Sequence, residues 1–226
     1  MNVDAVQRYA RQIALPQVGP DGQARFCAAC VAVVGADLTA EIAARYLAAA
    51  GVARLRLIGG ADSDGAALDA ALRGSNPDVV VERVPCPTTG DGWVAVLDGV
   101  AAVLRSGFDD DPMLRAAVRR GVPVVAVRGR DEAVELISFR RNGPCVHAPL
   151  DVPAQASAPP SSAAAAVVAG TLGAAEILST LLGDAQAPSA RHLSLPLDGR
   201  PPRVQELPWS PACFACGGHG TEMSFS

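Results

Sequence analysis

The sequence predicts an α/β fold: a doubly wound, Rossmann-like, mainly parallel sheet with a C-terminal antiparallel extension. Three observations support this prediction. Apolar, strand-like segments alternate with helix-like segments up to about residue 130, which is typical of parallel strands buried on both faces. A glycine-containing turn follows the first of these strands. Further on, Ala133–Arg140 alternates apolar and polar residues, as an antiparallel strand with one solvent-facing side does.

The predicted elements follow one another in the order that such a fold requires. Val31–Val34 is the first buried strand, and the alanine-rich helix Glu41–Ala50 ends at Gly51, since glycine readily adopts the left-handed conformation that closes a helix. Residues 151–162, which contain prolines and serines, predict a flexible crossover loop. The remaining elements are strands at Arg54–Ile58, Val79–Val84, Ala101–Leu104, Val122–Val127, His192–Pro196 and Val204–Leu207, and helices at Ala66–Arg73, Pro112–Arg120 and Ala163–Leu182.

Length and composition predict one domain, residues 1–226. Half of the residues are hydrophobic and 19% are charged. A chain of this length and composition has enough apolar side chains to form a substantial core. Within this domain we expect an N-terminal helical segment (1–30) and a Rossmann-like core (31–130). The C-terminal part (131–226) would hold the crossover loop, the long helix and the last strands, and it ends in a Cys-x-x-Cys pair.

Charge and hydropathy exclude several function classes. A net charge of −4 without a basic run gives no electrostatic basis for binding nucleic acid or a membrane surface. All 19 basic residues are arginine, which excludes any mechanism that needs a lysine amine. The N-terminus does not read as a signal peptide, and the apolar helix Ala163–Leu182 contains Gly170, Gly173 and Glu176, which favours a buried or interface helix over a membrane span. We therefore expect a cytoplasmic protein.

The turn after the first strand is built like a phosphate-binding loop that has lost two glycines. In a Gly-x-Gly-x-x-Gly loop, the second glycine lets phosphate approach the backbone and the third lets helix and strand pack closely. Here Gly35 keeps the first position, whereas Asp37 and Ala40 take the second and third. A carboxylate thus stands where a phosphate should meet bare backbone amides. We expect Asp37 or Thr39 to cap the following helix instead.

Motifs spread over nearly the whole chain are shared with one known family. They are Arg8–Ile13, Leu15–Gly19, Gly22–Gln23, Val31–Gly35, Tyr46–Val52, Asn76–Val79, Gly170–Gly183 and Pro211–Gly217. Together they resemble the ThiF/MoeB/HesA proteins, the ubiquitin-activating-enzyme-like adenylyltransferases. That resemblance implies a protein that uses MgATP to activate the C-terminal carboxylate of a small ubiquitin-like or sulfur-carrier protein as an acyl-adenylate.

The resemblance also implies a set of nucleotide-binding residues, and most of them are missing. The acid that should follow the second strand for the ribose is replaced by glycines, so that Asp62 or Asp64 could substitute only if the loop folds back. The segment carrying a phosphate-binding arginine is deleted, and there is no lysine. The magnesium aspartate is expected after the fourth strand, where one of Asp109, Asp110 and Asp111 could serve; an acidic turn that caps the next helix is an equal alternative.

We therefore interpret the chain as a non-adenylating member that binds a small ubiquitin-like or sulfur-carrier protein, or a family partner, and dimerises through the Gly170–Leu182 helix. If a nucleotide binds, Gly35, Asp37, Thr39 and Asp62 are the candidate contacts. An active adenylyltransferase in sulfur transfer or modified-peptide biosynthesis is the alternative. A dinucleotide-dependent oxidoreductase is weaker, because Asp37 faces any pyrophosphate.

The cysteines predict a structural zinc site. The family holds zinc with two Cys-x-x-Cys pairs, and this chain keeps Cys213 and Cys216 but has Cys145 and His147 in place of the other pair. These four residues could close a tetrahedral site, with His219 as an alternative fourth ligand; a lost site with leftover cysteines is equally compatible. Three further cysteines and one histidine have simpler interpretations: Cys27 and Cys30 as core residues, Cys86 as an ordinary thiol, and His192 as a surface residue.

Overall fold

A computed structural model describes residues 3–59, 65–108, 112–130, 132–139, 162–183 and 190–207. The helices in these ranges are α1 Val3–Arg8, α2 Ala10–Ile13, α3 Gly19–Phe26, α4 Leu38–Ala50, α5 Gly65–Ser75, α6 Gly90–Val96, α7 Pro112–Arg120 and α8 Ala163–Leu182. The strands are β1 Cys30–Val34, β2 Arg54–Ile58, β3 Val80–Val84, β4 Ala102–Ser106, β5 Val124–Gly129, β6 Ala133–Phe139, β7 Ala190–Pro196 and β8 Arg203–Glu206.

The strands form one sheet in the order β3-β2-β1-β4-β5-β6-β7-β8. The first five in this order are parallel to one another. β6, β7 and β8 continue the sheet in antiparallel pairs. The predicted mainly parallel sheet with an antiparallel C-terminal extension is therefore confirmed.

Helices cover both faces of the parallel strands. α4, α5 and α8 lie on one face, called here the α8 face, where Leu104 and Ile177 belong to one buried cluster. α6 and α7 lie on the other, the α7 face, where Val103 and Trp93 belong to a second cluster. Because successive side chains of a strand point to opposite faces, neighbouring residues of one strand face different helices.

Most element boundaries agree with the predictions, β2 and α7 to the residue. α4 begins at Leu38 rather than at Glu41 because Asp37 caps it. The sequence does not predict α6, which opens with Gly-Asp-Gly; the Thr89 side chain caps it, and the burial of Trp93 holds it in place.

The solvent-facing side predicted for the strand at 133–140 is wrong for its second half. Residues 136–139 are all buried, so both faces of the strand are covered there. The cause is packing on both faces: Leu136 belongs to the cluster on the α8 face, and Ile137 and Phe139 belong to the cluster on the α7 face.

Two glycines bring α8 close to α4 and to the sheet. A Cβ atom on Gly170 would lie 2.5 Å from the carbonyl oxygen of Thr39 and 2.9 Å from the Cβ of Ile42. A Cβ on Gly173 would lie 3.0 Å from side-chain carbons of Leu104 and Val127. The inner side of α8 is therefore occupied by contacts within the chain.

α8 is also the one helix in the described ranges whose length and apolar composition would suffice for a membrane span, with a mean hydropathy of 1.7. Of that stretch, 44% is buried against the rest of the chain. Since core helices of soluble proteins share these properties, this is weak evidence for a span.

The close approach of α8 to α4 predicts a stability effect at Gly170. We expect Gly170→Ala to lower the free energy of unfolding by about 1–3 kcal/mol, because the new Cβ meets a backbone carbonyl that cannot rotate away. Urea unfolding followed by circular dichroism measures it. The control is Gly74→Ala in α5, where a Cβ meets nothing within 4 Å; it should be stabilising by about 0.5–1 kcal/mol. A Gly170→Ala variant as stable as the parent would contradict the packing.

Candidate functional site

The candidate site lies at the carboxyl end of the parallel strands, between β1 and β4. β1 has β2 on one side and β4 on the other, so the strand order reverses at this point. In open α/β sheets, ligands bind in the crevice outside such a switch point. Here the crevice is formed by residues 35–37, which follow β1, and by Ser106, the last residue of β4.

Asp37 places its own carboxylate in this crevice. Its Oδ1 accepts a hydrogen bond from the Ala40 backbone N–H (3.0 Å), and its Oδ2 accepts one from the Ser106 hydroxyl (2.5 Å). The first bond is the N-cap of α4 and satisfies a donor that a phosphate would otherwise take. Of the two predicted caps, Asp37 is confirmed; Thr39 is wrong for this role, because it lies within the first turn and is buried next to α8.

Gly35 keeps the backbone geometry of a phosphate-binding turn. Its φ is +135°, which residues with a Cβ rarely adopt, and its N–H donates to the Ile58 carbonyl (3.0 Å). A Cβ at this position would lie 3.0 Å from the Cβ of Ser106 and 3.3 Å from that of Ala40. The fold itself therefore requires this glycine, and its presence is not evidence for a nucleotide.

The carboxyl end of β2 bears no acid among the described residues. The strand ends at Ile58 and is followed by Gly59, whose φ is +91° and whose N–H donates to the Val84 carbonyl (3.4 Å). The candidate ribose acids Asp62 and Asp64 lie outside the described residues.

The carboxyl end of β4 carries a positive charge. Arg105 is 7% exposed and lies in register between Val34 of β1 and Ala126 of β5. A buried guanidinium thus stands close to the position where the sequence resemblance implies a magnesium-binding aspartate. Asp109, Asp110 and Asp111, the candidate replacements, lie outside the described residues.

The predicted zinc ligands Cys145, His147, Cys213 and Cys216, and the alternative His219, also lie outside the described residues. Within the described ranges, no three histidine, cysteine or acidic side chains are grouped as metal ligands would be. Cys27 and Cys30 are free and half-buried, and burial raises the pKa of Cys30. Cys86 is a free, exposed thiol.

A polar cluster that the sequence analysis does not predict crosses β5, β6 and β7 on the α7 face. Glu135 Oε2 accepts hydrogen bonds from Arg128 Nη2 (2.5 Å) and Nε (3.2 Å). Arg130 Nε lies 3.9 Å from the same oxygen, and His192 Nε2 lies 4.0 Å from Glu135 Oε1. The two arginines at the end of a buried strand are a signal in the sequence, but only the antiparallel register brings Glu135 and His192 to them.

His192 is more buried than predicted. Its side chain is 14% exposed, so its interpretation as a surface residue is wrong. Burial lowers the pKa of His192, and Arg128 acts in the same direction while Glu135 opposes both. The imidazole is therefore neutral near pH 7.

The sequence has relatives of similar length. The chain is 31% identical over 256 aligned residues to the sulfur carrier protein adenylyltransferase of Thermus thermophilus, covering 97% of this chain and 93% of that protein. It is 28% identical to the SAMP-activating enzyme E1 of Haloferax volcanii, covering 98% and 93%. It is 33% identical to the bovine adenylyltransferase and sulfurtransferase MOCS3, covering 95% of this chain and 54% of MOCS3. No family model matches the sequence.

Solved structures share the fold at low sequence identity. A crystal structure of PaaA superposes with a TM-score of 0.77 at 17% identity, over 92% of this chain and 75% of PaaA. A crystal structure of Escherichia coli MccB with MccA gives a TM-score of 0.75 at 15% identity, over 93% and 74%.

The geometry of Asp37 predicts a measurable capping effect. We expect Asp37→Ala to lower the free energy of unfolding by about 1 kcal/mol, because α4 loses its cap and Ser106 loses its acceptor. Chemical unfolding measures this loss. Asp37→Asn is the matched control, since its amide oxygen can accept the Ala40 bond, and it should stay within about 0.5 kcal/mol of the parent. Equal stability of the alanine variant and the parent would disprove the role of the cap.

Proposed function

The chain belongs to the ThiF/MoeB family, and from that premise we propose that it is a non-adenylating member that binds a small ubiquitin-like or sulfur-carrier protein, or a family partner. The observation that carries the proposal is the position of the Asp37 carboxylate. It caps α4 and bonds to Ser106 across the switch point, where a nucleotide phosphate would need free donors.

Electrostatics support this interpretation. Two like unit charges about 4 Å apart repel by about 1 kcal/mol in water and by about 4 kcal/mol at the effective dielectric of a protein surface. A phosphate at the start of α4 would meet this repulsion and would also have to displace Asp37 from the Ala40 N–H. One donor of the helix terminus that attracts anions is thus already satisfied from within the chain.

The changes at neighbouring positions point in the same direction. Adenylyl transfer depends mainly on positioned charges around the phosphates and the metal. This chain has no lysine at all, and glycines follow β2. At the end of β4, close to the position where the resemblance implies a magnesium-binding aspartate, the residue is Arg105. Several independent parts of the catalytic machinery are altered together, which favours loss of catalysis over a single tolerated change.

The binding part of the proposal rests on the relatives. Two of them are named for acting on a sulfur carrier protein and on SAMP, and alignment covers over nine-tenths of each. The chain keeps the sheet of this family, but Asp37 occupies a donor that a phosphate would use. Such a protein retains a surface for the partner without the means to activate it. Dimerisation through α8, structural zinc and a cytoplasmic location stay predictions from the sequence. For the dimer, only the outer side of α8 is available, since its inner side packs within the chain.

Active adenylation is the second candidate. Its support is the same set of relatives, which are named as an adenylyltransferase and an activating enzyme. It requires that the loop holding Asp62 or the turn at Asp109–Asp111 supplies the missing acids, and that arginines replace the lysine.

Nucleotide binding separates the two candidates. We expect no heat of binding in calorimetry with MgATP and no ATP–pyrophosphate exchange, with or without a candidate carrier, namely a small protein ending in Gly-Gly encoded beside this chain. The Thermus thermophilus relative with its own carrier is the positive control. Carrier binding without nucleotide binding supports the proposal. Clear exchange contradicts it and establishes the enzyme, and absence of both activities contradicts its binding part.

The Asp37→Gly variant tests whether Asp37 alone prevents nucleotide binding. We expect Asp37→Gly to leave MgATP binding undetectable, because the substitution frees the Ala40 N–H but restores neither a lysine nor an acid after β2. Asp37→Asn is the control that removes the charge and keeps the side chain. If Asp37→Gly binds MgATP, the loss of function lies in this residue alone, and the argument from several altered parts fails.

A further inference from the structure

The cluster on the α7 face contains buried side-chain nitrogens that have no hydrogen-bond partner. Nε and Nη2 of Arg130 and Nε2 of His192 are each inaccessible to solvent and have no hydrogen-bond partner. Buried polar groups in folded proteins are nearly always hydrogen-bonded, so three unpartnered nitrogens in one place call for an acceptor. Two of them lie near the Glu135 carboxylate but beyond hydrogen-bond distance: Arg130 Nε is 3.9 Å from Oε2, and His192 Nε2 is 4.0 Å from Oε1.

The other members of the cluster are already committed. Arg128 gives two hydrogen bonds to Glu135 Oε2, and its guanidinium lies over the Phe108 ring, 4.5 Å from the centroid. Both side chains of the Arg128–Glu135 pair are less than one-fifth exposed. The Arg128–Glu135 pair therefore holds its position through its own contacts. Arg130 and His192 are the members of the cluster that have nitrogens available to bind a ligand.

The strand register places these groups on one face. Arg128 is opposite Glu135, and Glu135 is opposite Ser194 on β7, two residues beyond His192. Ser194 also lines a cavity of about 200 Å³, whose other lining residues are Glu132, Ala133, Pro196, Arg200, Pro201 and Arg203. This cavity therefore begins beside the cluster, two residues along β7 from His192.

Charge indicates which kind of ligand fits. Two guanidinium groups face one carboxylate and a neutral imidazole, which leaves one uncompensated positive charge in a partly buried setting. A guanidinium is only a donor, and its planar fork matches the two oxygens of a carboxylate. A monoanion balances the charge, whereas a phosphate dianion would exceed it.

We propose that Arg130 and His192, supported by the Arg128–Glu135 pair, form a binding site for a carboxylate. Two sources share this chemistry: the free C-terminus of a peptide, and a small free carboxylate. The first source rests on the proposed function, because a carrier C-terminus that is not adenylated keeps its negative charge. The second source is independent of it.

The test uses two kinds of probe on the full-length protein. One is a pair of N-acetylated tetrapeptides ending in Gly-Gly, identical except that one has a free C-terminal carboxylate and the other an amide. The second probe is acetate. Binding is followed by NMR through the side-chain Nε–H signal of Arg130 and the imidazole signals of His192, which report contact directly in the unmutated protein.

Binding of the free-acid peptide but not of its amide assigns the site to a peptide C-terminus. Acetate binding of equal strength assigns it to a small carboxylate. We expect Arg130→Gln and His192→Gln each to weaken binding, Arg130→Gln by about 10- to 100-fold, since a hydrogen bond to a charged group is lost. Arg73→Gln, an exposed arginine on α5, is the control and should bind as the parent does.

Two results would overturn the proposal: no change in either signal with any probe, or binding that Arg130→Gln leaves unchanged. The first would mean that the buried donors belong to the protein's own packing. The outcome is separable from the nucleotide question, because none of the probes contains a phosphate. If the protein catalyses pyrophosphate exchange, it can still bind a carboxylate at Arg130 and His192. If it binds no ATP, it can still lack this carboxylate site.

Discussion

The position of β1 between β2 and β4 is the constraint on which the site depends. Parallel strands end at the same edge of the sheet, so the loop after β1 and the end of β4 must meet there. The first turn of α4 points its unpaired N–H groups into the same space, and these groups need acceptors. The chain supplies one from its own sequence, through Asp37, and fixes that acceptor with Ser106. A place that the fold opens for a ligand is thereby closed by a side chain.

The two faces of the sheet differ in charge at this end. The Asp37 carboxylate belongs to the side of α4 and α8, since Ser106 follows Leu104 on that face. Arg128 and Arg130 belong to the other side, where Glu135 pairs with Arg128 and lies near Arg130. The Asp37 carboxylate disfavours an anion on the α4 side, whereas the proposed carboxylate site lies on the α7 face.

Local features could be predicted from the sequence, and features that depend on register could not. The apolar runs gave β2 and α7 their correct limits, and Asp37 was recognisable as a cap because capping involves residues three apart. Its bond to Ser106 joins residues 69 positions apart and follows only from strand order. Likewise, Arg128 and Glu135 meet because of an antiparallel pairing that composition does not encode. α6 was not predicted because its first residues, Gly-Asp-Gly, disfavour a helix. The burial of Trp93 in the folded protein overrides that local preference.

The close seating of α8 on the sheet has a consequence for how the protein is made. α8 ends at Leu182, whereas β5, the last parallel strand that it covers, is complete at Gly129. At synthesis rates of about 5–20 residues per second, the apolar surface of Leu104 and Val127 waits roughly 3 to 11 seconds for its cover. During that interval the nascent chain exposes apolar strand surface of the kind on which aggregation begins. Gly170 and Gly173 let α8 pack closely over that surface once the helix has been made.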